Sequence, residues 1–206
     1  MAFNTYANLK TAIGNWTRNA EVDKDEIIGL VEATMFNNEV APLRVREMEV
    51  RATATATASS RYVALPTRFL DMRRLKLTSG GNEFDIRYRT PESLLIKGGT
   101  GRPLYFSILA QLEFDIAADS AYDLEMLYYQ RPTALDATNT TNDVLTNYPN
   151  IYLFGCRWAT YLYQNDAEAE ATNYQRFLGA IRGANKTSKK ARMGPAPAMV
   201  AERLTP

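Results

Sequence analysis

The spacing of hydrophobic residues predicts two helices at the start of the chain. The first ends near Asn19, and its buried stripe at helical spacing is Tyr6, Leu9, Ile13 and Trp16. The second begins at Asp23, which with Glu26 forms a variant of the capping box, and it ends or kinks at Pro42. Its predicted buried residues are Ile27, Ile28, Val31 and Met35.

The hydrophobic period changes to two from about Glu49, which predicts strands. Alanine and threonine alternate from Arg51 to Ala58, so Thr53, Thr55 and Thr57 share one face of the first strand. Because these residue types bury little area, we expect an edge strand or a surface between subunits.

Glycine and proline mark the turns that follow. Leu75 to Thr78 and Phe84 to Tyr88 predict a β-hairpin joined by a four-residue loop, Ser79 to Asn82. Thr90-Pro91-Glu92 fits the first positions of a brief helix, since proline is accepted there. A further meander of strands is expected up to Tyr129.

The last third of the chain predicts a helical hairpin. Its first helix starts at Asn147, Tyr148 and Pro149 and is expected to be the central, most buried helix. The apolar residues of that helix are Ile151, Phe154, Trp158, Tyr161 and Leu162. A second helix is expected from Asn165 or Asp166. Its predicted apolar stripe is Ala167, Ala171, Tyr174, Leu178 and Ile181.

Helices at both ends with strands between them predict an α+β fold, an antiparallel helical bundle with an inserted β-rich region and an extended C-terminal tail. Residues 1–48 are the expected first half of the bundle, and 49–143 the β-rich insertion. Residues 144–192 are expected to complete the bundle as a helical hairpin, and 193–206 to form a C-terminal arm.

The composition changes this picture mainly by what it excludes. Of the 206 residues, 46% are hydrophobic, and 24 basic side chains are balanced by 23 acidic ones. The chain therefore lacks the basic excess of proteins that hold nucleic acid through its phosphates. With no histidine and with Cys156 as the single cysteine, disulfide frameworks, cysteine-based zinc sites and histidine catalysis are excluded. We expect no cofactor and no metal.

No segment approaches the roughly 18 apolar residues that span a bilayer, and the N-terminus lacks a signal-peptide pattern. A soluble protein made in the cytoplasm, with no membrane partner, is the expectation.

Several motifs follow one another in a fixed order. After the two-helix start, Leu65-Pro66-Thr67-Arg68-Phe69-Leu70 leads into a strand with the pair Arg73-Arg74. The short helix at Thr90-Pro91-Glu92 comes next, and a late run from Leu145 to Gly155 reads Leu-Thr-Asn-Tyr-Pro-Asn-Ile-Tyr-Leu-Phe-Gly. This combination resembles the head-tail adaptor proteins, also called connector or head-completion proteins, of tailed bacteriophages.

The similarity covers nearly the whole chain, and its most specific part is Asn147 to Gly155 followed by the helix from Asp166 to Arg182. The resemblance implies a structural virion protein and no enzyme. It implies a ring, commonly a dodecamer, docked under the portal protein at the head-tail junction after synthesis in the host cytoplasm. The other face of the ring would meet tail proteins (nozzle, tube or fibre-attachment proteins), and packaged DNA would pass through the lumen without sequence-specific binding.

A basic cluster ends the last predicted helix, and a proline-containing arm follows it. The candidate portal-binding residues are Arg182, Lys186, Lys189, Lys190, Arg192, Pro195, Pro197 and Arg203. Cations at a helix C-terminus also complement the helix dipole, which is the simpler interpretation of the cluster. Copied around a ring, such charges would hold DNA tightly and resist its passage, so we favour a protein partner.

Two other functions compete with the structural role. The face with Thr53, Thr55 and Thr57 could belong to a carbohydrate- or ligand-binding module, although a solvated or subunit-facing strand is far more common. Glu113 and Asp115 lie two residues apart and could act as the carboxylate pair of a glycoside hydrolase. Outward polar residues at alternate positions are, however, typical of any half-buried strand.

Overall fold

A computed structural model of the chain describes residues 3–18 and 22–192, which divide into two compact units. The helical unit comprises the described residues within Met1–Glu47 and Thr133–Pro206. The sheet unit comprises Met48–Pro132. The helical unit is therefore built from both ends of the sequence, and the sheet unit from one continuous segment.

The helical unit contains five α-helices among its described residues. They are α1 (Tyr6–Thr17), α2 (Lys24–Asn37), α3 (Asp143–Asn147), α4 (Pro149–Tyr163) and α5 (Ala167–Arg192). Side chains cap four of them, because the first amides of a helix have no partner within it. Thr5 accepts from the amide of Asn8, Asp23 from those of Asp25 and Glu26, and Asn142 from that of Leu145. At α5, Asp166 Oδ1 accepts from the amide of Ala169 at 3.1 Å.

Helix α4 packs against the other four described helices, so the expectation that it is central is confirmed. Gly155 allows the close approach: a Cβ atom there would lie 2.6 Å from Val31 Cγ1 of α2 and 3.0 Å from Phe177 Cε2 of α5. Trp158 of α4 also stacks on Phe177, with ring centroids 5.9 Å apart. The three helices therefore meet where residue 155 has no side chain.

A buried polar network joins α2 and α4 to the loop before α3. The Tyr152 hydroxyl donates to Glu32 Oε1 at 2.7 Å, and the amide of Leu135 donates to the same oxygen at 3.1 Å. Asn142 Nδ2 donates to the Tyr152 hydroxyl oxygen at 2.8 Å. Burial, followed by the Glu32 carboxylate, raises the pKa of Tyr152 well above its ordinary value.

The buried face of α5 differs from the predicted stripe. The buried residues are Asn173, Phe177, Leu178, Ile181, Ala184 and Ser188. Ala167 and Ala171, which the sequence placed on the buried stripe, are exposed. Leu162, which the sequence placed on the buried face of α4, is 41% exposed.

The sheet unit contains seven strands. They are β1 (Glu49–Ala56), β2 (Tyr62–Val63), β3 (Phe69–Ser79), β4 (Asn82–Tyr88), β5 (Tyr105–Ile108), β6 (Leu112–Phe114) and β7 (Tyr122–Gln130). Their order is β1-β7-β3-β4-β5-β6-β2, and every pair is antiparallel except the parallel pair β4–β5. The edge strands β1 and β2 approach each other, so the sheet is a nearly closed barrel. Side chains such as Leu77, Phe114 and Leu124 fill its interior.

The predicted hairpin is β3–β4, but its loop is shorter than expected. Ser79 and Asn82 are paired, which leaves Gly80 and Gly81 as a two-residue turn. Their φ angles are 57° and 79°. Two successive left-handed residues are what a tight type I′ hairpin turn requires, and glycine supplies them without strain.

The predicted antiparallel helical bundle with an inserted β-rich region is wrong. Within the described part of the chain, the fold is α+β with a seven-stranded, nearly closed sheet and five helices. The sheet encloses a hydrophobic core of its own and is not an appendage of a helical bundle. Hydrophobic periodicity shows which side of each element is buried, but it does not show that a sheet curls round to close on itself.

Candidate functional site

The basic cluster lies on the exposed side of the last three turns of α5. Each of its described members has an exposed side chain: Arg182, Lys186, Lys189, Lys190 and Arg192. The opposite side of these turns is buried through Ile181, Ala184 and Ser188. The cations therefore project from a helix end that is packed against the rest of its unit.

Two polar residues within the buried side fix that helix end. Asn185 Oδ1 accepts from the amide of Arg44 at 2.8 Å, and Asn185 Nδ2 donates to the carbonyl oxygen of Pro42 at 2.9 Å. Ser188 Oγ accepts from the amide of Arg46 at 2.7 Å. The segment from Pro42 to Arg46 thus runs along α5 and is held at both of its ends. Sequence reasoning missed both residues, although an Asn and a Ser three positions apart interrupt the apolar stripe.

The residues proposed to start the helical hairpin lie at the junction of α3 and α4. Pro149 is the first residue of α4, and Asn147 Nδ2 donates to the carbonyl oxygen of Asp143 at 2.9 Å. The Tyr148 hydroxyl donates to Glu47 Oε2 at 3.2 Å. The junction is therefore tied to the segment that precedes β1.

Tyr148 also links the hairpin start to the basic cluster. Burial, and then the charge of Glu47, raise the pKa of Tyr148, whereas the nearby cations Arg46 and Arg192 act to lower it. Burial alone would raise the pKa of Glu47, but hydrogen bonds from Arg46 and Tyr148 hold it below its usual value. Arg192 is thus the member of the basic cluster whose charge acts on Tyr148.

The remaining candidate portal-binding residues, Pro195, Pro197 and Arg203, and the whole predicted arm of residues 193–206 lie outside the described residues.

An exposed apolar groove lies between α2 and α4. Its volume is about 490 Å³, and Val22, Ile27 and Ala159 line it. At its rim, Leu30 is 42% and Tyr163 71% exposed. Large apolar side chains grouped around a groove are typical of a protein-binding surface. Sequence reasoning did not find this groove, because its residues come from helices that are distant in the sequence.

The two carboxylates of the hydrolase alternative have different environments, since Glu113 is half-buried within β6 and Asp115 is buried just after that strand. The Asp115 side chain is 1% exposed and forms an ion pair with Lys97 at 2.9 Å. It also accepts from the amides of Leu104 and Tyr105 at 3.0 and 3.1 Å. Burial alone would raise the pKa of Asp115, but these hydrogen bonds lower it below the ordinary value. A general acid needs a raised pKa and access to substrate, so Asp115 has the properties of a structural carboxylate.

Thr53 and Thr55 belong to β1, an edge strand of the sheet, Thr57 follows the end of that strand, and all three threonines are exposed. The prediction of an edge strand is confirmed. Thr53 is paired with Glu125 of β7, and Arg51 forms an ion pair with that carboxylate at 2.6 Å. The threonines thus continue a charged, solvated outer face of the sheet.

Two further findings concern the described residues alone. They contain no group of three or more His, Cys, Asp or Glu side chains placed to hold a metal ion. Among the helices of residues 3–18 and 22–192, none is long and apolar enough to cross a bilayer.

Comparison with known proteins addresses the resemblance directly. No curated relative matches the chain significantly. The family model described as SU10 adaptor protein matches residues 4–200, nearly the full length. The chain therefore belongs to the SU10 adaptor protein family, a family of phage head-tail adaptors, which confirms the resemblance seen in the motifs.

Proposed function

We propose that this chain is the structural head-to-tail adaptor of a tailed phage. In this proposal, copies of the chain form a ring, commonly a dodecamer, at the head-tail junction. The ring joins the portal protein to nozzle, tube or fibre-attachment proteins and extends the channel through which DNA leaves the head. The observation that carries the proposal is the family match over residues 4–200.

The C-terminal end of α5 is the proposed contact with the portal. Asn185 and Ser188 fix this end of the helix, so its exposed lysines and arginines form a preorganised basic surface. A preorganised surface loses less side-chain and backbone entropy when a partner binds. The predicted arm, with Pro195, Pro197 and Arg203, would continue this contact onto the portal.

The apolar groove between α2 and α4 is the proposed contact between neighbouring copies. Tyr163 and Leu30 at its rim would lose their exposed apolar area when a second copy covers them. A ring needs a heterologous contact, in which a surface of one copy binds a different surface of the next.

The portal contact is tested by charge reversal. A Lys186→Glu/Lys189→Glu/Lys190→Glu variant should lose binding to purified portal protein, while a variant with arginine at the same three positions should keep it. Binding of both variants to linear DNA is measured in parallel. Loss of DNA binding with unchanged portal binding would refute the portal contact.

The role in the virion is tested genetically. A phage unable to make this chain should yield filled heads that lack tails, and supply of the chain in trans should restore tailed particles. Complete, tailed particles in its absence would refute the adaptor function.

A further inference from the structure

The groove between α2 and α4 is acidic as well as apolar. Its charged lining residues are Asp23 and Glu26, and among the described residues no lysine or arginine lines it. The Asp23 carboxylate caps α2 by accepting from the amides of Asp25 and Glu26. The Glu26 side chain is exposed and forms no ion pair within the described part of the chain. The groove therefore suits an occupant that brings apolar area together with a cation, and it repels the phosphates of DNA.

An exposed tryptophan and an arginine lie side by side on another surface of the helical unit. Trp16, near the end of α1, is 51% exposed, so it is not the buried residue that the sequence predicted. The Arg157 guanidinium of α4 lies over its ring, 5.6 Å from the centroid. This surface therefore presents a large apolar side chain together with a cation, the combination that suits the acidic groove.

Arg157 has no acceptor for its hydrogen-bond donors within residues 3–18 and 22–192. Its side chain is half-buried, and its Nε atom is buried without a hydrogen-bond partner. No carboxylate of the described residues forms an ion pair with it. The Trp16 ring attracts the positive charge but offers no oxygen to the N–H groups. Because an unpaired buried donor costs free energy, a carboxylate from a partner would stabilise Arg157 where it stands.

Arg157 and the groove face nearly opposite sides of α4. Ala159, which lines the groove, follows Arg157 by two residues. Since successive residues of an α-helix are about 100° apart, the two side chains leave the helix about 160° apart. One copy can therefore use both surfaces at the same time, one toward each neighbour. A ring needs this arrangement, because each copy binds two others through two different surfaces.

We propose that Trp16 and Arg157 of one copy bind in the groove between α2 and α4 of the next copy. The Arg157 guanidinium pairs there with the Glu26 carboxylate, and the Trp16 indole covers the exposed apolar area of Leu30 and Tyr163. Tryptophan, tyrosine and arginine are the residue types that most often dominate the binding free energy of an interface. The inference names the second surface of the contact between copies, and it rests on the proposed function.

Cysteine cross-linking in assembled particles tests the pairing of the two surfaces. Asn15→Cys lies beside Trp16, Ala33→Cys lies about one turn after Leu30, and both positions are exposed. The native Cys156 is buried and should not react. With a flexible bismaleimide, the chain that carries both new cysteines should form a ladder of covalent oligomers, and each single variant should form no dimer. A dimer from either single variant would show that like surfaces meet, and would overturn the proposal.

The other outcomes separate this contact from the adaptor function. If particles contain the double-cysteine chain but yield no ladder, the pairing of the surfaces is overturned and the adaptor function is not. If the wild-type chain is absent from tailed particles, both are overturned. A cross-link from residue 15 to a different virion protein would identify that protein as the occupant and would overturn the second copy.

Charge reversal tests the pair of Arg157 and Glu26. In the double-cysteine chain, Arg157→Glu alone or Glu26→Arg alone should abolish the ladder. The two changes together should restore it, because each contact again joins opposite charges. Glu39→Arg, at an exposed position outside the groove lining, is the control and should keep the ladder.

A second variant of the same surface covers a failure of Arg157→Glu to fold, which circular dichroism detects. Trp16→Ser changes an exposed side chain and no charge, and it should also abolish the ladder. A ladder that persists in both Glu26→Arg and Trp16→Ser would overturn the proposal.

Discussion

Gly155 of α4 and Val31 of α2 are in such close contact that a Cβ atom at residue 155 would lie 2.6 Å from Val31 Cγ1. The same Cβ atom would lie 3.0 Å from Cε2 of Phe177 on its other side. The position thus excludes every side chain, because Val31 and Phe177 are both fully buried and have little room to move.

We therefore expect Gly155→Ala to lower the free energy of unfolding by about 1 to 3 kcal/mol, the usual effect of overpacking a core. Gly179→Ala is the matched control, since no atom lies within 4 Å of the added Cβ there. It should be neutral or stabilise α5 by up to about 1 kcal/mol through helix propensity. Urea unfolding followed by circular dichroism measures both, and equal stability of the two variants would contradict the packing argument.

The buried network around Glu32 gives a second prediction. Tyr152→Phe removes the hydroxyl that donates to Glu32 Oε1 and accepts from Asn142. The buried carboxylate would lose a donor, so the free energy of unfolding should fall by about 1 to 3 kcal/mol. Tyr163→Phe, at a 71% exposed residue, should leave the unfolding midpoint unchanged.

The Lys97–Asp115 pair gives a prediction in pH. Because the pKa of Asp115 is lowered in the fold, its interactions stabilise the sheet unit fully above the ordinary aspartate pKa of about 3.9. This stabilisation is lost as the pH falls through the lower pKa of the folded state. Asp115→Asn should reduce stability at pH 7 and flatten the acid side of the stability profile.

Thermal unfolding between neutral and acid pH measures this difference. Asp123→Asn, at an exposed position of β7, is the control and should leave stability at neutral pH unchanged. If the unfolding temperatures of Asp115→Asn and of the wild-type chain change in parallel with pH, the ion pair contributes nothing to the pH dependence of stability.

The end of α5 gives a fourth prediction. Asn185→Ala removes the acceptor of the Arg44 amide and the donor to Pro42. We expect the Arg44 amide to exchange faster by about fivefold or more, since a lost hydrogen bond of this kind is worth about 1 kcal/mol or more. Thr187→Ala, at an exposed neighbouring position, is the control. If the end of α5 is the portal contact, Asn185→Ala should also weaken portal binding although no charge is changed.

The groove between α2 and α4 gives a fifth prediction. A Leu30→Ser/Tyr163→Ser variant should shift the purified chain toward monomers in mass photometry, because it removes apolar area that a neighbouring copy would cover. Leu109→Ser, at a 53% exposed position of the sheet unit, tests whether any loss of surface apolar area has this effect. Self-association that survives the first variant would contradict the ring contact proposed here.

Local signals in the sequence predicted several elements well. The Asp23 cap, Pro149 at the first position of α4, the β3–β4 hairpin and the edge position of β1 all follow from residues that act on their near neighbours. The length of the β3–β4 loop was overestimated, at four residues instead of two, because a glycine pair does not reveal that Ser79 and Asn82 are themselves paired.

What the sequence could not predict depends on distant partners. Asn185 and Ser188 accept hydrogen bonds from the amides of Arg44 and Arg46, 141 and 142 positions away in the sequence. No local sequence pattern predicts such a contact. The closure of the sheet likewise depends on the meeting of β1 with β2 after five other strands have paired. The family resemblance identified the adaptor. It did not predict that Asp115 is buried, because its partners Lys97 and the amides of Leu104 and Tyr105 are brought to it only by the fold.

The discontinuous make-up of the helical unit has a consequence for biosynthesis. Its first two helices leave the ribosome long before α4. Their apolar side chains are buried against α4 in the folded unit. The continuous segment Met48–Pro132 can reach its native state while the nascent polypeptide is still being extended. During translation, the apolar faces of α1 and α2 therefore stay exposed until α4 has been synthesised. In this interval we expect the growing chain to be most prone to aggregation and to chaperone binding.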